Sequence, residues 1–163
     1  MKTIELNDEQ DWFIMLDDEN EKTKYVFSDE VYSKLESVLI FDTNGSEIDF
    51  PLIEGPLLKA PNLKILGFIG KGCNKCIQSL NENGISAPIL ESISFDSTGI
   101  TQIPEFLLKI NTLSKLSFRN EEISTIPIEL FDLINLNELH FQYTSEIRII
   151  PDEIKRLNNI LMC

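Results

Sequence analysis

Residues 90–112 read LESISFDSTGITQIPEFLLKINT, residues 113–135 read LSKLSFRNEEISTIPIELFDLIN, and residues 136–159 read LNELHFQYTSEIRIIPDEIKRLNN. Leu90, Ile93, Phe95, Ile100, Ile103, Leu107 and Ile110 return 23 positions later as Leu113, Leu116, Phe118, Ile123, Ile126, Leu130 and Leu133. They return again as Leu136, Leu139, Phe141, Ile147, Ile150, Ile154 and Leu157, with one additional residue between Phe141 and Ile147. A proline follows the second isoleucine each time, at Pro104, Pro127 and Pro151. Neither a helix nor a strand has a period that produces such a recurrence, so the unit is a supersecondary repeat.

Working outward, the pattern weakens but persists. Leu63, Leu66 and Phe68 start a unit 27 residues before Leu90, and Leu35, Val38 and Ile40 start another 28 residues before Leu63. The added length, in Gly55 to Lys59 and Lys75 to Leu80, suits a helical turn on the return path. The 23-residue units have room there only for 3₁₀ turns or extended backbone. Residues 1–34 do not match the repeat. They hold short β-prone runs (Lys2 to Leu6, Asp11 to Leu16, Thr23 to Phe27) separated by acidic, turn-forming segments, then a short helix expected near Ser28 to Leu35 with Ser28 as N-cap.

The pattern LxxLxFxxxxIxxIPxxLxxLxx resembles the leucine-rich repeat. That resemblance implies an α/β solenoid with a parallel β-sheet on the concave face and short helical or extended segments on the convex face. Residues 35–163 are then about five units, residues 1–34 a capping segment for the first of them, and the whole one domain. In each unit LxxLxF is a strand whose alternate residues point inward, which stacks Phe68, Phe95, Phe118 and Phe141 as a ladder. The Ile-Pro pairs hold the return path extended, because a residue before proline is pushed out of the α region. The resemblance also implies that the concave face binds a protein and that the module is not catalytic.

Spacing then names that face. After the core triplet stand Phe41, Ile69, Asp96, Arg119 and Gln142, followed by Asp42, Gly70, Ser97, Asn120 and Tyr143. Between core positions lie Leu39, Gly67, Ser94, Ser117 and His140, and one step earlier Ser37, Ile65, Ser92, Lys115 and Glu138. The face is apolar at its N-terminal end (Leu39, Phe41, Ile65, Ile69) and polar, with mixed charge, at its C-terminal end. Two readings of the apolar end stand: a protein-binding patch, or a surface hidden by the N-terminal cap. The residues expected to bind a partner are Phe41, Ile69, Asp96, Lys115, Arg119, Glu138, His140, Gln142 and Tyr143.

Composition narrows the function. The 163 residues carry 14 Lys and Arg against 27 Asp and Glu, a net charge of −13. A nucleic-acid surface needs clustered cations to displace counterions, so no nucleic-acid partner is expected. A basic protein partner fits the charge, as does simple solubility. No basic n-region followed by an apolar run opens the chain, and no stretch is long and apolar enough for a membrane span. Three cysteines, Cys73, Cys76 and Cys163, make no disulfide framework. A cytoplasmic protein is the expectation.

Chemistry finds little to build on. Cys73-Asn74-Lys75-Cys76 is a lone CxxC. A redox site would want it at a helix start after a strand, a context not expected here, and a zinc site would want a second pair of ligands. Cys73 aligns with Ile100 and Cys76 with Ile103, so buried thiols are the better reading. His140 has no nucleophile placed beside it, and Asp42, Asp96 and Glu138 follow no metal-loop spacing. Gly67, Gly70 and Gly72 form no phosphate loop. No enzyme activity, metal or cofactor is expected. The foremost reading is a non-catalytic protein-interaction module. The alternatives are an inhibitor or immunity protein neutralising a basic toxin or enzyme, and a thiol redox enzyme using the CxxC. Ile160 to Cys163 begin a further apolar strand, where self-association or partner binding is expected.

Overall fold

The computed structural model describes residues 11–15, 33–41, 60–144, 146–157 and 161–162, with strand placement alone for 11–15 and 161–162. Among them are seven strands: β1 (Asp11–Met15), β2 (Ser37–Phe41), β3 (Ile65–Ile69), β4 (Ser92–Asp96), β5 (Lys115–Arg119), β6 (Glu138–Gln142) and β7 (Leu161–Met162). They form one sheet in chain order, and every neighbouring pair is parallel. The architecture is α/β. β2 to β6 are the strands of the five units read from the sequence, and β1 and β7 extend the sheet at either edge.

The register follows the repeat. Phe68, Phe95, Phe118 and Phe141 occupy one row across four strands, and Leu66, Ile93, Leu116 and Leu139 another. The four phenyl rings stack nearly parallel, with centroids 5.3, 5.2 and 5.3 Å apart. That is the offset-stacked range for aromatic pairs. β1 joins with Trp12 opposite Val38 and Ile14 opposite Ile40, so the apolar period of the repeat reaches into the N-terminal segment. The other strands expected before residue 34 lie outside the described residues. So does most of the expected helix; of it, Ser33 and Lys34 form a turn leading to the buried Leu35.

Among the described residues the return paths divide by length; that of the 28-residue unit, with the turn expected at Gly55 to Lys59, lies outside them. The 27-residue unit carries a 3₁₀ turn (Lys71–Cys73) and α1 (Asn74–Asn83), the one α-helix among the described residues. The shorter units carry 3₁₀ turns at Glu105–Lys109, Ile128–Asp132 and Asp152–Arg156. Pro104, Pro127 and Pro151 precede these turns in extended backbone, with ψ of 131°, 138° and 145°. Each proline carbonyl accepts the N–H three residues on, at Leu107, Leu130 and Ile154, over 3.1–3.2 Å. Proline lacks a donor but not an acceptor, so it can open a 3₁₀ turn without leaving a buried group unsatisfied. No helix among the described residues is long and apolar enough to cross a membrane.

Two core expectations need correction. Ile150 was placed with Ile103 and Ile126, which are each 6% exposed, yet it is 51% exposed. Phe141, Ile147 and Ile154 are half-buried where their equivalents are buried. The cause is positional: β7 pairs with β6 only at Glu138 and Leu139, so among the described residues no return path covers that side of the last unit. Conversely, Phe106 and Phe131 are fully buried core residues that the repeat does not predict. They take inequivalent positions in their units, Phe106 aligning with Glu129 and Phe131 with Leu108.

Candidate functional site

One face of the sheet buries Val38, Ile40, Leu66, Phe68, Ile93, Phe95, Leu116, Phe118 and Leu139. The alternate residues lie on the other, open face, because side chains change sides at each step along a strand. Register places them in three rows: Ser37, Ile65, Ser92, Lys115, Glu138; then Leu39, Gly67, Ser94, Ser117, His140; then Phe41, Ile69, Asp96, Arg119, Gln142. Eight of the nine residues named from spacing therefore stand on one surface. Tyr143, the ninth, follows the strand rather than standing on it. It lies one residue past β6 with φ of +56°, in the left-handed region.

Tyr143 shares that conformation with Ser97 (φ 56°) and Asn120 (φ 53°), the equivalent residues after β4 and β5, and with Gly70 (φ 94°) after β3. Ser97 and Asn120 each donate a backbone N–H to the next strand, to Arg119 O and Gln142 O, both at 2.9 Å. The left-handed turn lets the ladder continue while the chain swings away from the sheet. Asparagine tolerates it and glycine is free to adopt it; an aromatic residue there is strained by about 1–3 kcal/mol.

The polar half is tied together across strands. Asp96 Oδ1 accepts from Ser97 Oγ at 2.8 Å and from Asn120 Nδ2 at 3.2 Å, and Asp96 Oδ2 faces Arg119 Nη1 at 3.4 Å. The Arg119 guanidinium carbon lies 6.0 Å from the centroid of the Tyr143 ring, itself 77% exposed. Lys115 Nζ meets Glu138 Oε1 at 2.7 Å, and His140 Nε2 stands 3.6 Å from Glu138 Oε2. The hydrogen bond from Lys115 holds the Glu138 carboxyl below its ordinary range, burial opposing it only in part. Such exposed pairs stabilise the fold by little, because water and salt screen them. Their effect is to hold these side chains in fixed positions relative to one another.

Charge is also neutralised locally. Both cations of the open face on β5 are matched by carboxylates of β4 and β6, and Lys64 just before β3 pairs with Glu36 at 2.9 Å. That hydrogen bond raises the Lys64 pKa. Along the sequence the excess of acids lies in the first part: residues 1–59 hold 15 acidic and 5 basic residues, residues 60–163 hold 12 and 9.

One residue that sequence reasoning missed is Glu121. It follows β5, is 3% exposed, and its carboxylate accepts four hydrogen bonds from the preceding unit. Thr98 N and Thr98 Oγ1 reach Oε1 at 2.9 Å, and Gly99 N and Ile100 N reach Oε2 at 2.9 and 3.1 Å. An acid between Phe118 and Ile123 of one unit, aligned with Thr98 one unit earlier, was the available signal. Its role is to tie one unit to the next.

The CxxC also departs from expectation. A strand leading into a helix start was the context held to be missing, and it is present: β3 runs through the 3₁₀ turn to Cys73, the N-cap of α1. The longer unit makes room for that helix. Both thiols nevertheless turn inward and are buried, with Cys73 Sγ 3.3 Å from Ile69 O and 3.6 Å from Ile40 O. A soluble thiol reagent should therefore modify Cys73 and Cys76 about a hundredfold more slowly in the native protein than after denaturation, since reaction waits on local opening. Peptide mapping after timed alkylation checks this; equal rates in the two states would show that the helix start is open to solvent.

A scan against protein-family models found no match, and neither did searches of curated proteins and of solved structures.

Proposed function

We propose that the chain is a leucine-rich-repeat solenoid acting as a non-catalytic protein-interaction module, with the open face of its sheet as the binding surface. The 23-residue offset between strands, the one-strand-per-turn order and the 3₁₀ turns after each Ile-Pro pair support the repeat assignment. The observation that carries the function is the Arg119–Tyr143 pair. A ring 77% exposed is held over a guanidinium by a backbone conformation that tyrosine rarely adopts. Strain of this kind persists where the surrounding structure enforces it, and it concentrates at binding sites. Tyr and Arg are also the residue types that most often dominate binding energy.

The test is the double substitution Arg119→Ala with Tyr143→Ala, measured against a partner co-purified with the native chain. Affinity should fall by about 2 kcal/mol or more. The melting temperature should hardly move, because neither side chain is in the core. Unchanged affinity would remove the polar half of this face from the binding surface.

A further inference from the structure

We propose that Cys73 and Cys76 form a reversible intramolecular disulfide at the start of α1, made and broken by exchange with small disulfides and thiols of the glutathione class. It is a modification site on a return path, and it does not depend on what the open face binds.

Backbone geometry brings the two thiols together. Cys73 is the N-cap of α1 and Cys76 stands in its first turn, so both side chains lie on one face of the helix. Cys73 itself has helical backbone, with φ of −65° and ψ of −14°, so the helical spacing holds from the first cysteine onward. Helical rise and rotation set the two Cα atoms about 5 Å apart, inside the range that a disulfide spans. The equivalents in the next unit, Ile100 and Ile103, precede Pro104 on backbone that is not helical. The one α-helix among the described residues thus begins where the sequence sets two of its three cysteines at CxxC spacing.

The chemistry of the helix start favours the bridge. The Cys73 thiol donates to Ile69 O at 3.3 Å and to Ile40 O at 3.6 Å. Thiols are weak donors, so little is lost when those contacts give way to a bond between the sulfurs. No acidic residue stands in the first turn of α1, and the partial positive charge of a helix start acts on whichever sulfur carries transient negative charge. Exchange takes two steps. One cysteine, as thiolate, attacks a sulfur of the small disulfide and expels a small thiolate. The second cysteine then attacks the protein sulfur of that mixed disulfide, closes the Sγ–Sγ bond and expels the other small thiolate. The two cysteine protons end on the two released thiols, and two electrons pass from the protein to the small disulfide. Both cysteines are buried, so exchange waits on local opening, while its end point is set by the folded state.

The experiment equilibrates the intact chain in glutathione buffers of graded oxidised-to-reduced ratio, starting from both the reduced and the oxidised protein. Acid quenching, alkylation of the remaining thiols and trypsin follow. Cleavage after Lys71, Lys75 and Lys109 gives peptides 72–75 and 76–109, which stay joined only by a bridge between Cys73 and Cys76. The native chain should be half bridged at a ratio about tenfold less oxidising than the same chain unfolded in urea, because the helix presets the spacing of the two sulfurs. Bridging no more readily in the native chain than in urea would make both thiols core residues alone and overturn the assignment. Glutathione retained on one cysteine as the main product, or bridges to Cys163, would overturn it as well.

Discussion

Phe118→Ala should lower the free energy of unfolding by about 3–5 kcal/mol. Phe118 is fully buried and is one of the two inner members of the ring stack, with Phe95 at 5.2 Å on one side and Phe141 at 5.3 Å on the other. Truncation removes the transfer energy of the side chain and leaves a gap that neighbouring strands, pinned by their hydrogen bonds, cannot close. The same substitution at Phe141, at the half-covered end of the row, should cost less, because that ring is already partly in water. Urea unfolding of the two variants beside the native chain measures both. A midpoint unchanged by Phe118→Ala would mean that the two faces of the sheet are reversed.

The second large effect belongs to Glu121. Glu121→Ala should cost about 3 kcal/mol, because three backbone N–H groups and the Thr98 hydroxyl lose their acceptor in a buried site. Glu121→Gln should cost less, since an amide oxygen still accepts while its NH₂ faces donors. Acidity adds a further check. Burial pushes the Glu121 pKa up, against the pull of the hydrogen bonds from Thr98, Ile100 and Gly99. The folded state thus holds this proton more tightly than the unfolded chain does. The associated stability is fully present below the unfolded pKa and is lost as pH rises through the folded pKa. Relative to Glu121→Gln, which cannot titrate, the native chain should gain stability as the solution is acidified through that window. A relative loss on acidification would show that the four donors outweigh burial.

Much of the open face was legible because a strand's side-chain period is two and the repeat length is nearly constant. Those two facts place Ser92, Lys115 and Glu138 in one row and Asp96, Arg119 and Gln142 in another without any coordinates. The helix in the longer unit and the 3₁₀ turns in the shorter ones follow from the number of residues available to return. The left-handed backbone of Tyr143, one residue past β6, was not legible, because aromatic residues do not advertise that conformation.

What the sequence by itself determined is therefore the periodic part: the parallel strand order, the phenylalanine row and the residues sharing the open face. Only the tertiary structure decided the rest. Phe106 and Phe131 enter the core from inequivalent positions of the 3₁₀ turns that follow Pro104 and Pro127. Glu121 is drawn inward by backbone donors of the previous unit, and Ile150 is 51% exposed where no return path among the described residues covers it. Periodicity reports what every unit has in common. The fit between two particular units is set by volumes and hydrogen-bonding groups brought together from residues some 20 positions apart.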